Sequence, residues 1–178
     1  MATSTLLKPL IATEQIQARI EEMAAQIRSD YGDEPILAVA VLKGSFLFFA
    51  DLIRQLGDQV KVDFVQVSSY GDGTESSGIV QIRKDLDINI EGKNVLIVED
   101  IVDTGATLSH LCELLHTRRP KSLKVASLLS KPEARRLDAP MDYVGFEIPN
   151  AFVVGYGLDH AERYRNLPYI AVLIDPTP

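Results

Sequence analysis

The chain has 178 residues, 46% apolar and 24% charged, and its 18 Lys plus Arg against 25 Asp plus Glu leave a formal net charge of −7. That usage belongs to an ordinary globular domain, able to bury roughly two-thirds of its unfolded surface without a disulfide or structural metal, and it excludes collagen, coiled coil and extended disorder. The acidic balance opposes nucleic-acid and membrane-surface partners, no apolar run reaches the roughly 18 residues of a membrane span, the N-terminus MATSTLLKPL lacks a secretory pattern, and a single cysteine, Cys112, excludes an internal disulfide, so one cytoplasmic domain is expected.

In chain order, Ile16, Ile20, Met23, Ala24 and Ile27 recur at helical spacing behind Thr13, a candidate cap. Ile36 to Leu42 is continuously apolar and rich in β-branched residues, as a strand buried on both faces should be. Lys43-Gly44-Ser45 breaks it, and a second helix is predicted from Phe46 to Leu56, stopping at Gly57. Val62 to Val67 alternates apolar and polar residues in the manner of a half-buried strand. Tyr70 to Gly78 (YGDGTESSG) is polar and carries three glycines, which predicts a mobile loop. Strand character returns over Ile79 to Ile82, and turns are predicted from there to Lys93. Val95 to Val98 and Leu123 to Leu129 are further all-apolar strands, with a helix between them on Leu108, Leu111, Cys112 and Leu115. Tyr143 to Ile148, Ala151 to Tyr156 and Tyr169 to Ile174 are the last strand candidates. No repeat or low-complexity tract interrupts this order. Apolar strands alternating with helices predict an α/β fold with a central, mostly parallel sheet flanked by helices, and ligands in such folds lie at the carboxyl ends of the strands.

After Val95–Val98 comes Glu99-Asp100-Ile101-Val102-Asp103-Thr104-Gly105-Ala106-Thr107. Three carboxylates crowded at the end of a buried strand are costly unless a cation or a cationic substrate offsets them. The small residues that follow open a helix, whose free N–H groups and dipole favour an anion. Acids for a hard metal or sugar hydroxyls thus stand beside a phosphate cradle, which suits a phosphorylated sugar carried with Mg²⁺. Asp and Thr are also common helix caps, and it is the length and order of the string that favour function. The chain has no Walker A loop, the partial matches Gly71-x-Gly73 and Gly155-x-Gly157 lack the third glycine of a dinucleotide fingerprint, and Ile90 replaces the glycine that a calcium loop beginning at Asp85 requires. Cys112 falls on an apolar helix face and is expected in the core. His110, His116 and His160 show no ligand spacing.

The string from Val98 to Thr107 resembles the phosphoribosyl-pyrophosphate signature of the type I phosphoribosyltransferases, and the rest of the chain is similar to their 6-oxopurine branch, the hypoxanthine(-guanine) phosphoribosyltransferases. Leu42-Lys43-Gly44-Ser45 resembles the pyrophosphate loop of that branch, with Ser45 where some members have a second glycine. Ser69-Tyr70 opens a segment like its catalytic lid. Leu129-Ser130-Lys131-Pro132 stands where the branch keeps a purine-selecting lysine. Ile148 to Asp159 (IPNAFVVGYGLD) matches the purine-stacking strand and its trailing acid, and Arg165 follows at the family spacing.

The resemblance implies a single domain over residues 1–178, with a core at about 36–145 and a hood from the N-terminal segment and about 146–178. It implies transfer of 5-phosphoribosyl from phosphoribosyl pyrophosphate to hypoxanthine and guanine, giving IMP or GMP and pyrophosphate through an oxocarbenium-like transition state. In that reading Glu99 and Asp100 hold the ribose hydroxyls and Mg²⁺, with Asp159 as a second metal contact. Asp103 is the general base, and Thr104, Gly105, Ala106 and Thr107 bind the 5-phosphate. Lys43 and Gly44 meet the pyrophosphate across a peptide often held cis, and Arg165 clamps it. Lys131 donates to O6 of the purine, Phe152 stacks on its face, and the Val153 backbone reads its edge. The lid of Tyr70–Gly78 keeps water from the glycosyl cation. A homo-dimer or homo-tetramer is the family expectation. The same motifs suit a xanthine-preferring enzyme, which differs only in the 2-position of its base. An RNA-binding regulator on this fold needs a basic surface that the net charge opposes. A phospho-accepting receiver carries its acidic pair after the first strand, whereas here the pair follows a strand in mid-chain.

Overall fold

The computed structural model describes residues 6–69 and 80–174. Two sheets organise it. The larger is built from β2 (Ile36–Leu42), β3 (Val60–Ser69), β4 (Val80–Lys84), β5 (Asn94–Val102), β6 (Ser122–Ser130) and β7 (Tyr143–Glu147), in the spatial order β4-β3-β2-β5-β6-β7. All its neighbours are parallel except β4, which runs antiparallel to β3. The smaller sheet joins β1 (Leu6–Ile11), β9 (Ile170–Ile174) and β8 (Val153–Val154) antiparallel, so the two ends of the chain meet in it.

The side-chain period of two explains why β2 is apolar throughout. Ala38 and Ala40 face α1 (Thr13–Tyr31) and α2 (Phe46–Gln55), joining Ile16, Ile20, Phe48 and Leu52 in one core. Val39 and Val41 face α3 (Ala106–His116) and pack in a second core with Leu108, Leu111, Cys112 and Leu115. Cys112 is buried there as expected, and burial pushes its thiol up to about 12, so it stays a protonated hydrophobe. The edge strand β7 is covered rather than bare: Arg19 of α1 donates to the carbonyls of Gly145 (2.9 Å) and Val144 (2.7 Å).

Three expectations change. Thr13 lies inside α1, not at its cap. Its hydroxyl donates to the Pro168 carbonyl (2.9 Å), and Gln15 Oε1 accepts the Ala12 N–H (2.9 Å) at the helix start. Strand β3 is two-faced as predicted, but its faces are exchanged. Asp63 is 3% exposed while Val62 and Phe64 are 42% and 36% exposed, because Asp63 Oδ2 accepts the N–H groups of Asp87 (2.9 Å) and Ile88 (2.8 Å) and ties down the turn after β4. Strand β5 does not stop at Val98; it stays paired with β6 as far as Val102, so Glu99 and Asp100 sit on the sheet itself. The expected loop Tyr70–Gly78 lies outside the described residues. Among the described residues no helix is long and apolar enough to cross a membrane.

Candidate active site

Because β2, β5 and β6 are parallel, the three segments that follow them converge on one edge of the sheet. Leu42–Gly44 leaves β2, Asp103–Gly105 leaves β5, and Lys131 leaves β6. The Leu42–Lys43 peptide is cis. Ser45 is fully buried and its hydroxyl donates to the Val41 carbonyl (2.6 Å), so it closes the loop from behind. Gly44 lies so close to Asp100 that a β-carbon would run into the carboxylate. On its other side stands Gly157, whose φ of +101° and contact with the Gly44 carbonyl leave no room for a side chain. The smaller sheet thus presses its Gly155–Gly157 turn onto the loop after β2.

Between these segments lies a cavity of about 400 Å³. Its wall brings together Lys43, Gly44, Glu99, Asp100, Asp103, Thr107, Lys131, Phe152, Val153, Asp159 and Arg165, eleven of the residues singled out by motif. A second hollow of about 200 Å³ runs along Glu99–Gly105 and Thr107, which adds Thr104 and Gly105. Ala106 stands behind it as the first residue of α3, its N–H directed to Thr104 Oγ1 (3.4 Å). Ser69 ends β3, and Tyr70 lies outside the described residues.

The electrostatics divide the cavity into ends. Burial, and then the neighbouring Asp100, push the Glu99 carboxyl well above its ordinary range. Asp100 is also raised by burial, against the pull of the Ile101 N–H and Arg165. Lys131, 7% exposed, reaches Asp103 Oδ2 at 3.0 Å. Phe152 is 54% exposed and free on one face, with the His160 ring edge-on at 5.5 Å. At the opposite end Arg165 binds Asp159 Oδ1 (2.8 Å) and the Gly157 carbonyl (2.8 Å). Lys43 Nζ reaches both oxygens of Glu162 at 3.2 Å. Glu162 has no role in the motif reading above, and His160 shows no ligand spacing there. The spacing Asp159-x-x-Glu162-x-x-Arg165, an arginine preceded by two acids at steps of three, was the available signal for the first.

Among the described residues no three His, Cys, Asp or Glu side chains form a metal-holding group, so Glu99, Asp100 and Asp159 are not one cage. Mg²⁺ does not need one: it is commonly held by one or two carboxylates together with substrate phosphates and waters. Two adjacent half-buried carboxylates whose charge is unfavourable fit that donor set.

The raised pair has a measurable consequence. A carboxyl whose folded-state pKa exceeds its unfolded value of 4.5 stabilises the fold most at low pH and loses that contribution as pH rises through the folded value. The unliganded protein is therefore expected to melt higher at pH 5 than at pH 8. Glu99→Gln is expected to flatten that difference and raise the midpoint at pH 8 by about 2–4 °C for each kcal/mol recovered. Calorimetric melts of both proteins across this range check it; an unaltered pH dependence in the variant would show that the pair carries no strain.

The family model described as a phosphoribosyl transferase domain matches residues 10–161. The hypoxanthine-guanine phosphoribosyltransferase of Bacillus subtilis is 55% identical over 166 residues, covering 93% of this chain and 92% of that one. The bifunctional protein TilS/HprT of Listeria monocytogenes is 49% identical over 166 residues, which make up 26% of that longer protein. A crystal structure of a hypoxanthine-guanine phosphoribosyltransferase from Bacillus anthracis superposes with a TM-score of 0.90 at 51% identity, over 94% of this chain and 98% of the other. With similarity of this depth along nearly its whole length, the chain belongs to the phosphoribosyl transferase family, in its hypoxanthine-guanine branch.

Proposed function

We propose that the chain transfers the 5-phosphoribosyl group of phosphoribosyl pyrophosphate to hypoxanthine and guanine, forming IMP or GMP and releasing pyrophosphate, in the cytoplasm and as a homo-dimer or homo-tetramer. The carrying observation is that the cavity and the hollow that shares its acidic wall bring together an acidic pair, a small-residue turn at a helix start, two cations, and a buried lysine with an exposed aromatic ring. No other ligand class needs all four at once.

Each end of the crevice then has a task. The Thr104–Thr107 turn takes the 5-phosphate, and Glu99 and Asp100 take the ribose hydroxyls. Lys43, the Gly44 backbone and Arg165 take the diphosphate, and the Gly157 contact keeps the loop after β2 flat enough for it to approach. Lys131 donates to O6, Phe152 covers one purine face, and Val153 offers its backbone to the ring edge. As the bond from the sugar C1′ to the diphosphate oxygen breaks and the bond to the purine nitrogen forms, Asp103 accepts the proton that the ring gives up. Glu99 and Asp100, with Asp159 as a further contact, would hold Mg²⁺, which when bound would offset the negative charge of the diphosphate. The smaller sheet, made from the N-terminal strand and residues after 146, acts as a hood over the purine end.

The test is a purine panel of hypoxanthine, guanine, xanthine and adenine with phosphoribosyl pyrophosphate, following pyrophosphate release with Mg²⁺ and with excess EDTA. Turnover is expected with the first two purines and only with the metal. Adenine as the best substrate, or full turnover in EDTA, would overturn the assignment of Lys131 or of the acidic pair respectively.

A further inference from the structure

We propose that Glu162 is a built-in counter-anion for the diphosphate end of the crevice, occupying Lys43 and Arg165 in the free enzyme and competing for them with the incoming group. The proposal rests on the reading above that these two cations meet the diphosphate. Glu162 lies 119 positions from Lys43 in sequence, yet both its carboxylate oxygens stand 3.2 Å from the Lys43 ammonium, and one is 3.4 Å from Arg165 Nη2.

The turn that carries Glu162 is built to aim it. Ala161, Glu162 and Tyr164 have φ values of +51°, +62° and +74°, a left-handed conformation that costs energy for residues other than glycine. The backbone is closed by paired bonds between His160 and Arg163 (3.1 and 3.0 Å) and by the Glu162 N–H donated to Asp159 Oδ2 (2.8 Å). Lys43, and then Arg165, hold the Glu162 carboxyl below its ordinary range, so it is ionised whenever the enzyme works.

The two cations are not held alike. The side chains of Lys43 and Glu162 are 57% and 67% exposed, and ion pairs in that setting are weak and easily exchanged. Arg165 is only 20% exposed and keeps Asp159 and the Gly157 carbonyl as partners, so it stays oriented when Glu162 leaves. A diphosphate brings several negative charges against one and wins the exchange. On departure its cations return to Glu162 rather than to water. Glu162 therefore lowers affinity for the diphosphate without altering the purine end.

The experiment is calorimetric titration of Mg²⁺ and inorganic pyrophosphate into the full chain. Glu162→Gln is expected to bind pyrophosphate about two- to fivefold more tightly, the range an exposed pair reaches, and Glu162→Asp, charged but shorter, to fall between. In a Lys43→Met background the same change is expected to give less than half that gain, while the affinity of Glu162→Gln alone for IMP matches the parent. Equal or weaker pyrophosphate binding by Glu162→Gln overturns the proposal, as does an undiminished gain without Lys43, which would reveal only a general field effect. If Lys43→Met alone leaves pyrophosphate affinity unchanged, it is the assignment of the diphosphate end that fails, and the competition with it.

Discussion

Asp103→Asn is expected to lower kcat with hypoxanthine by about 10²–10⁴-fold, the range a positioned general base supplies, while the protein remains folded and still binds pyrophosphate. The carboxylate lies in the cavity wall beside Lys131, with about half of its side-chain surface exposed. Asparagine keeps the shape and removes the ability to take a proton. It also leaves the buried Lys131 ammonium without its partner at 3.0 Å, so thermal midpoints must accompany the kinetics. On the proposed reading, a purine bound through O6 would draw on that same ammonium and free Asp103 to accept the ring proton. A variant within about threefold of the parent kcat, far below the loss of a base, would remove Asp103 from the proton transfer.

How far the sequence could be read depended on where each residue finds its partner. Strands β2 and β6 and helices α2 and α3 were legible because the apolar pattern within each one is answered by its own immediate neighbours in the sheet. Strand β1 was not: Leu6 to Ile11 contains Pro9 and is largely exposed, and its register is set by β9 at the other end of the chain, with Leu6 opposite Ile174. Strand β8 covers only Val153–Val154 of the expected Ala151–Tyr156, and it too pairs with β9. The exchanged faces of β3 follow from Asp63, whose buried carboxylate is satisfied by N–H groups more than twenty positions later, a pairing that alternation cannot show. At the site, short strings carried Lys43, Asp100, Asp103, Lys131 and Asp159 into one wall as expected. The stacking of Gly157 on Gly44 and the reach of Glu162 to Lys43 depend on backbone angles and a distant turn, and the spacing of Glu162 between Asp159 and Arg165 does not name Lys43 as its partner.

Lys131→Ala is expected to narrow the preference for 6-oxopurines over adenine by about 10- to 10²-fold, chiefly by losing kcat/KM with hypoxanthine and guanine rather than by gaining it with adenine. An ammonium has donors only, so it satisfies O6 but finds no acceptor in the 6-amino group of adenine. The side chain is 7% exposed, so the mismatch is not relieved by water. A hydrogen bond to a charged group contributes about 1.5–3 kcal/mol, which sets the expected factor. Alanine removes both the charge, which Asp103 also loses as a partner, and the packed stem of the side chain, and Lys131→Met separates these two losses. Methionine preserves the packing beside Val102, whose carbonyl accepts the Lys131 N–H at 3.0 Å, without restoring the charge. If the ammonium reads O6, alanine and methionine variants show the same narrowed ratio. Specificity constants for hypoxanthine, guanine and adenine in all three proteins decide it, and an unchanged ratio would reduce Lys131 to a structural partner of Asp103.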